Sequence, residues 1–387
     1  MVTGVSSEGA GVGREPDGRV VFVPGALLDE TVVVEVVEEK KRHALARLVE
    51  IVEPSPDRIE PGCAAVEQGC GGCDLRHATP QAQRSTKERI VTDALTRIGR
   101  LGDPPPLTTI DLPADGRRTT ARCLVIAGRA GYRRRRSADG LTVDACPVLH
   151  PALEELVVEG RYDGVREVTL RMGARTGERL VLADPGAAAV DVPAGVVVVG
   201  ADELGAGRRA WYHEEVGGRR WRISARSFFQ ARPDGAEALA ATVASMVGTG
   251  EGHLVDLYGG VGLLAGTVEW RGPITLVERS SSAIADARIN LADRSVKVLA
   301  TPVERWKPSP AAAVIADPAR SGLGRRGVEQ LDQTGCDVAV LVSCDAGALG
   351  RDVGLMIAAG FSLESVVVVD LFPQTSRVEV VSRFVRQ

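Results

Sequence analysis

The chain has 387 residues, 44% of them apolar, and a formal net charge of −4 at pH 7. This length is enough for two or three domains that each bury a core. No apolar run reaches the roughly 18 residues that a membrane-spanning helix needs, and the first residues lack the basic and apolar regions of a secretory signal. We therefore expect a cytoplasmic protein with no membrane partner. The seven cysteines are unevenly spaced, which favours metal, cluster or catalytic use over a disulfide framework.

The acidic net charge alone argues against a nucleic-acid partner, but the charges are not spread evenly along the chain. Between Gly116 and Ala138 there are eight arginines and no acidic residue. Two interpretations of this run stay open at the sequence level: a surface that binds nucleic acid, and a solvated arginine-rich hairpin.

The beginning of the chain predicts a small β domain. Residues 3–53 contain short valine-rich strands separated by Pro-Gly and charged turns. This spacing suits a five-stranded barrel of the OB type, which often binds single-stranded nucleic acid, and the alternative is a β domain without that role. The proline-rich stretch after Glu53 predicts a linker.

Two further regions follow the linker. Residues 118–224 contain mostly predicted strands, and a helix with Thr79 as its N-cap precedes them. From about residue 235 helices and strands alternate, which is the pattern of a doubly wound parallel sheet and gives an α/β fold class. We predict three domains, which comprise residues 1–53, 54–224 and 225–387.

A glycine-rich turn in the last domain predicts a cofactor site. The segment "LVDLYGGVGLLAG" lies between a predicted strand and a helix, and Glu278 ends the next strand, 22 residues after Asp256. Glycines let the backbone approach a ligand closely, and an acid at that position can accept hydrogen bonds from ribose hydroxyls. The spacing predicts an adenosine-containing cofactor but does not distinguish a dinucleotide from S-adenosylmethionine.

Three other side chains lie at or near predicted strand ends. Asp317 and Cys344 each end a strand, at the edge where parallel sheets build their sites. A buried core cysteine is the alternative for Cys344. Glu379 lies between valines in the last predicted strand, and this pattern alone favours a solvated face over the site.

Four more cysteines form a set with possible ligand spacing. Cys63, Cys70 and Cys73 are close together in the sequence, whereas Cys146 lies far downstream. Four thiolates without a histidine suit either a structural zinc ion or a [4Fe-4S] cluster, and the spacing leaves both open. Cys123 alternates with its neighbours inside a predicted strand and is interpreted as a core residue.

Six segments of the C-terminal half occur in an order that resembles one enzyme family. They are "SFFQARPDGAEAL", "DLYGGVGLLA", "LVERSSSAIADARINLA", "IADPARSGLG", "LVSCDAGALGRD" and "LFPQTSRVEVV". Together they resemble the S-adenosylmethionine-dependent RNA uracil-C5 methyltransferases. Residues 3–53 resemble the TRAM domain of that family, and "CAAVEQGCGGCDLRH" with "DACPVLHP" resembles its iron-sulfur motif.

The resemblance implies a Rossmann-like methyltransferase domain and nucleophilic catalysis. C5 of uracil is a poor nucleophile, so a thiolate first adds to C6 and enables C5 to take a methyl group from a sulfonium. Cys344 matches the family's nucleophile, and Glu379 matches the base that removes the C5 proton. The positions that hold the cofactor or shape the site correspond to Gln230, Tyr258, Leu263, Glu278 and Asp317.

The resemblance also implies ligands and partners. S-adenosylmethionine is the expected methyl donor, and the expected ligands of a [4Fe-4S] cluster are Cys63, Cys70, Cys73 and Cys146. The expected substrate is a uridine in RNA, flipped out of its stack, with 23S ribosomal RNA favoured over tRNA. We expect the protein to be a monomer.

The chain departs from the family pattern close to the nucleophile. Ala346 and Ala348 replace a proline and a threonine after Cys344, and Arg377 replaces a histidine two residues before Glu379. These changes motivate an alternative function, an RNA-binding or RNA-chaperone protein on a degenerate methyltransferase scaffold. The presence of both the cysteine and the glutamate argues against it. An RNA cytosine-C5 methyltransferase is disfavoured because the corresponding strand lacks a Pro-Cys motif.

Overall fold

The N-terminal sheet has five strands in the computed structural model, which describes residues 1–387. The strands are β1 (Gly4–Val5), β2 (Gly11–Arg14), β3 (Val20–Val23), β4 (Thr31–Glu39) and β5 (His43–Glu53). Their order is β1-β2-β3-β5-β4, and only the β3–β5 pairing is parallel. The predicted five-stranded β domain is therefore confirmed.

The N-terminal sheet has a small core with a carboxylate buried beside it. Six apolar residues form that core, none larger than valine. The side chain of Glu30 is fully buried and accepts hydrogen bonds from the backbone N–H of Leu27 at 2.8 Å and from Arg58 at 2.6 and 2.8 Å. This ion pair ties the sheet to the linker that follows it.

The segment after the linker belongs partly to the C-terminal sheet. Its elements are α1 (Ala64–Glu67), α2 (Pro80–Asp93), a π-helical turn (Ala94–Ile98) and β6 (Leu107–Ile110). The hydroxyl of Thr79 accepts a hydrogen bond from the Ala82 N–H at 3.2 Å, so the predicted N-cap is confirmed. Strand β6 pairs in parallel with a strand near the C-terminus, a long-range contact that local pattern does not reveal.

The central region is rich in strands, as predicted. Its elements are β7 (Thr120–Ile126), β8 (Arg129–Arg133), β9 (Gly140–Thr142), α3 (Pro151–Val158), β10 (Arg161–Tyr162), β11 (Glu167–Met172), β12 (Arg179–Asp184), β13 (Val190–Asp191), β14 (Val196–Gly200), α4 (Ala201–Gly205), β15 (Trp211–Val216) and β16 (Arg219–Ser224). Six of the strands form one sheet in the order β14-β12-β11-β7-β8-β9. Cys123 is buried in this core, as interpreted from the sequence.

The C-terminal region is an α/β unit that carries the site. Its elements are α5 (Pro233–Val247), β17 (Leu254–Leu257), α6 (Leu263–Thr267), β18 (Ile274–Glu278), α7 (Ser281–Asn290), β19 (Val296–Ala300), a 3₁₀ turn (Val303–Arg305), β20 (Ala313–Ala316), α8 (Gly324–Asp332), β21 (Val338–Ser343), α9 (Ala346–Ala358), β22 (Phe361–Val369) and β23 (Val380–Arg386). The eight strands follow the order β19-β18-β17-β20-β21-β23-β22-β6. The α/β prediction is confirmed.

The central strands of this sheet are buried on both faces. Every residue of β17 and β20 is buried, because two apolar clusters of 33 and 27 residues cover the opposite faces of the sheet. Strand β23 alone runs antiparallel to its neighbours β21 and β22. None of the helices combines the length and the apolar character needed to cross a membrane.

The Glu30 ion pair yields a stability prediction. Glu30→Gln removes the charge that pairs with Arg58, and we expect about 3 kcal/mol of lost stability in the N-terminal sheet because it leaves a guanidinium with a weakened partner. Hydrogen-exchange protection of β2 and β3 measures the effect. Glu35→Gln, which breaks an exposed pair with Arg47, is the control and is expected to cost less than about 1 kcal/mol.

The same pair sets a pH dependence. Burial acts to raise the pKa of Glu30, but the hydrogen bonds from Arg58 and the Leu27 N–H lower that pKa below its usual value. A group with a lowered folded-state pKa stabilises the protein above its unfolded pKa, and this contribution is lost as the pH falls through the folded-state pKa. A protection profile that stays flat from neutral pH into this acidic range would contradict the assignment.

Candidate active site at the carboxyl edge of the C-terminal sheet

The pairing of β21 with β23 brings Cys344 and Glu379 together. Ser343, the last residue of β21, pairs with Val380, the first residue of β23. Cys344 and Glu379 each lie one residue beyond that pair, so they are cross-strand neighbours, which lie about 5 Å apart in a sheet. Glu379 is only 3% exposed, so the solvated face favoured by the sequence pattern is wrong.

The segment after Cys344 is held by a helix cap. The carboxylate of Asp345 accepts a hydrogen bond from the Ala348 N–H at 2.8 Å, which satisfies a free donor at the start of α9. The alanines at 346 and 348 are both buried. The departures from the family pattern therefore leave Asp345, the residue next to Cys344, fixed in place.

Carboxyl groups collect at this edge of the sheet without basic partners. Asp317 follows β20, and burial raises its pKa to about 7. Burial also raises the pKa of Asp256 to about 8, and that of Glu379 well above its usual value, with the charge of Asp317 as a second cause. One carboxyl oxygen of Asp256 accepts from the Ala265 N–H at 3.1 Å, whereas the other is buried without a partner. Such a set of carboxyls favours a cationic ligand.

The glycine-rich turn is organised around Glu278. Its carboxylate accepts hydrogen bonds from the backbone N–H groups of Gly260 at 3.1 Å, Arg279 at 2.7 Å and Ser280 at 2.6 Å. Gly262 has φ of 96° at the start of α6, a conformation that glycine adopts without strain. Glu278 therefore lies against the turn, as its predicted role in binding a cofactor requires.

The other three predicted cofactor residues lie on separate segments. Tyr258 directly follows β17, has φ of 59° and donates a hydrogen bond from its hydroxyl to Glu304 at 3.0 Å. Leu263 is the first residue of α6 and is buried. Gln230 precedes α5, is 8% exposed and makes no side-chain hydrogen bond within the protein, so its amide is free for a ligand.

A cleft of about 850 Å³ leads to Cys344. The N-terminal sheet, the β8–β9 hairpin and the edge of the C-terminal sheet form its walls. Seven arginines line it, against four carboxylates. The arginines are Arg122, Arg133, Arg134, Arg135, Arg136, Arg320 and Arg377. The cleft therefore has a positive surface in a protein whose net charge is negative.

Known proteins match the chain over its whole length. It is 33% identical to an RNA methyltransferase of Streptomyces avermitilis, over 98% of this chain and 95% of the relative, and 34% identical to one of Streptomyces coelicolor, over 98% and 90%. The chain belongs to this family of RNA methyltransferases. Residues 1–49 of the enzyme also match the TRAM domain family, which confirms the expected N-terminal domain.

A solved structure shares the fold of this methyltransferase. The crystal structure of a Pyrococcus abyssi tRNA (uracil-54, C5)-methyltransferase in complex with S-adenosyl-L-homocysteine superimposes with a TM-score of 0.75. The two chains are 22% identical and are covered to 100% and 99%. This similarity supports the Rossmann-like assignment of the C-terminal region.

The four predicted cluster cysteines line one cavity in the methyltransferase. It has a volume of about 180 Å³, and its wall includes Cys63, Cys70, Cys73 and Cys146. The Sγ of Cys70 accepts a hydrogen bond from the Gly72 N–H at 3.4 Å. No group of three or more Cys, His, Asp or Glu side chains is arranged to hold a metal ion. The thiols thus share a cavity but are not gathered around a single tetrahedral ion.

Two residues of the site were missed by the sequence analysis. Arg320 and Arg377 line the cleft beside Cys344, and neither side chain forms an ion pair or a hydrogen bond. A signal for Arg320 existed, because it follows Asp317 by three residues in "DPARSG". Arg377 was noted only as a departure from the family pattern.

The environment of Cys344 predicts a thiol that reacts slowly with alkylating reagents at neutral pH in the free methyltransferase. Burial raises the pKa of Cys344 to about 11, with the charges of Glu379 and Asp317 as further causes. Because the thiolate is the reactive form, we expect alkylation by iodoacetamide to accelerate about tenfold per pH unit from pH 7 to 10. Peptide mass spectrometry at Cys344 measures the rate.

Glu379→Gln serves as the matched comparison in that experiment. Removal of the neighbouring negative charge is expected to move the alkylation profile of Cys344 to lower pH. A rate that levels off near pH 9 in the unmodified protein would show an ordinary, solvated thiol instead.

Proposed function

We propose that the protein is an S-adenosylmethionine-dependent RNA (uracil-C5)-methyltransferase that makes 5-methyluridine. The observation that carries this proposal is the pairing of Ser343 with Val380, which makes Cys344 and Glu379 neighbours at the end of a positively charged cleft. A nucleophile and a carboxylate base side by side are what C5 substitution on uracil requires. A protein that only binds RNA requires neither.

The reaction we propose has three steps. The thiolate of Cys344 adds to C6 of uracil, which moves electron density to C5. C5 then takes the methyl group, which S-adenosylmethionine would supply from its sulfonium; the S–CH3 bond breaks and S-adenosylhomocysteine leaves as a neutral thioether. Glu379 removes the proton from C5, and the returning electron pair restores the C5–C6 double bond and expels the thiolate of Cys344.

The carboxyl-rich edge supports the assignment of the methyl donor. S-adenosylmethionine carries two positive groups, a sulfonium and an ammonium. Asp256, Asp317 and Glu379 have no basic side chain paired with them, so their site favours a positively charged ligand. Glu278, at the glycine-rich turn, is assigned to the ribose hydroxyls. The further cofactor residues we propose are Gln230, Tyr258 and Leu263.

The cleft supports RNA as the substrate. Four consecutive arginines, 133–136, lie on one wall and Arg320 and Arg377 lie near Cys344, so a phosphate backbone can follow the cleft to the nucleophile. The target uridine must leave its base stack before its C6 atom can contact the thiol. Among RNAs we propose 23S ribosomal RNA in preference to tRNA, because a TRAM domain combined with four cysteines resembles the ribosomal branch of the family.

The function is tested by nucleoside mass spectrometry on purified rRNA and tRNA incubated with the protein and S-adenosylmethionine. With the wild-type protein we expect 5-methyluridine in 23S rRNA. When Cys344→Ala replaces the wild type we expect none, although this variant should still bind RNA. If 5-methyluridine forms only in tRNA, the substrate is tRNA and not 23S rRNA. Binding without any product in either RNA would favour the RNA-chaperone alternative.

Glu379→Gln tests the assigned base. An amide does not accept the C5 proton, so methyl transfer proceeds and elimination stops. We expect a covalent protein–RNA adduct that carries the methyl group and survives denaturing gel electrophoresis. Normal release of product from Glu379→Gln would exclude this residue as the base.

The four cysteines are proposed to hold a [4Fe-4S] cluster. The support is their donor chemistry, four thiols without a histidine, and the cavity that they share. We expect anaerobically purified protein to be brown and to contain about four iron atoms per chain, and Cys63→Ala with Cys73→Ala to be colourless. Cys123→Ala is the control, because Cys123 lies in a strand outside the set. Stoichiometric zinc, or no metal, would overturn the proposal.

A further inference from the structure

The carboxyl group of Glu379 is placed by its backbone. Its side chain is 3% exposed and makes no hydrogen bond within the protein, so no partner atom fixes it. On one side its backbone continues into β23, where its carbonyl accepts from the Val369 N–H at 2.8 Å. On the other side lies the segment 370–378, which joins β22 to β23. Whatever fixes that segment therefore also fixes the carboxyl group.

Asp74 holds this segment through two hydrogen bonds to Ser376. Its Oδ1 accepts a hydrogen bond from the Ser376 N–H at 2.8 Å, and its Oδ2 accepts one from the Ser376 hydroxyl at 2.6 Å. Ser376 is 6% exposed, so water does not compete freely for these bonds. Bonds to a charged acceptor are among the stronger hydrogen bonds in proteins. Asp74 directly follows Cys73 in the chain, so the cysteine segment meets the Glu379 segment here.

Helix α2 holds the same segment at a second place. The Gln374 N–H donates to Oε1 of Gln83 at 2.8 Å, and Nε2 of Gln83 donates to the side chain of Gln374 at 3.0 Å. Lys87 donates to the Phe372 carbonyl at 2.9 Å. Gln374 has φ of 67°, a costly conformation for this residue that persists only where neighbours impose it. The segment is therefore held in one shape from outside.

The N-terminal sheet contributes a third contact. Gly9 has φ of 75°, and a Cβ there would lie 2.6 Å from the Cβ of Ser376 and 3.3 Å from Oδ2 of Asp74. Only glycine permits this approach. Three parts of the chain, distant in sequence, thus meet at Ser376, three residues before Glu379.

We propose that Asp74 is a positioning residue that acts through Ser376 to place the Glu379 carboxylate for removal of the C5 proton. The inference rests on the proposed function. A proton transfer requires the base within hydrogen-bond reach of the proton, and a misplacement of about 1 Å can cost up to about 100-fold in rate. Loss of Asp74 should therefore slow elimination while leaving Cys344 and the methyl-transfer step in place.

The test separates the two steps by single-turnover kinetics with methyl-labelled S-adenosylmethionine. The amount of label in protein–RNA adduct on a denaturing gel is compared with the amount in released 5-methyluridine. For Asp74→Asn we expect elimination to slow roughly 10- to 100-fold, with methylated adduct as the main species. Ser376→Ala, which keeps the backbone bond, should change the adduct fraction in the same direction but less.

The matched control is Asp111→Asn. Asp111 pairs with Arg84 on α2, its side chain is 60% exposed, and its carboxylate makes no hydrogen bond to segment 370–378. We expect this variant to match the wild type in both steps. Thermal melting of all variants accompanies the kinetics.

The outcomes are distinguishable. The positioning role is overturned if the wild type is active and both Asp74→Asn and Ser376→Ala give the same ratio of adduct to product as the wild type. Equal slowing of methyl transfer and elimination, with a lowered melting temperature, also overturns it, because that is a general structural effect. If the wild type forms neither adduct nor product with rRNA or tRNA, the proposed function fails first and the positioning role falls with it.

Discussion

The site depends on β23, the one strand of the C-terminal sheet that runs antiparallel to the others. In a purely parallel sheet, only residues at carboxyl ends of strands meet at the edge where ligands bind. Because β23 is antiparallel to β21, its amino end reaches that edge and brings Glu379 beside Cys344. A slip of one residue would turn every side chain of β23 to the other face. The core residues Val380, Val381 and Phe384 fix the register on both faces.

The electrostatics of the edge follow from this crowding. Buried carboxyls without cations destabilise their charged forms, so the pKa values of Asp256, Asp317 and Glu379 are all raised. Burial also raises the pKa of Cys344, and the charges of Glu379 and Asp317 raise it further. A cationic ligand at this edge reverses both effects, because it favours carboxylate and thiolate alike. In the free protein, the raised pKa keeps the Cys344 thiol protonated and therefore weakly reactive.

The sequence predicts those parts of the site that follow local rules. Strands buried on both faces give apolar runs, so the ends of β20 and β21 and the side chains of Asp317 and Cys344 could be located. The same reasoning fails for Glu379, because alternation with valines indicates a solvated face only when one face of the sheet is exposed. It fails for β6 and for Asp74 because their partners lie more than 250 residues away. Long-range pairing has no local signature.

Net charge is a poor guide to the partner of this protein because many of its arginines are already held in ion pairs, whereas others are not. Within the arginine-rich run, three arginines form ion pairs: Arg122 with Glu167, Arg129 with Asp144 and Arg136 with Glu8. Arg320 and Arg377, near Cys344, have none. Paired charges cancel at a distance, so the field that a polyanion meets is set by the unpaired ones. Their position at the cleft, rather than their number in the chain, allows an acidic protein to attract RNA toward Cys344.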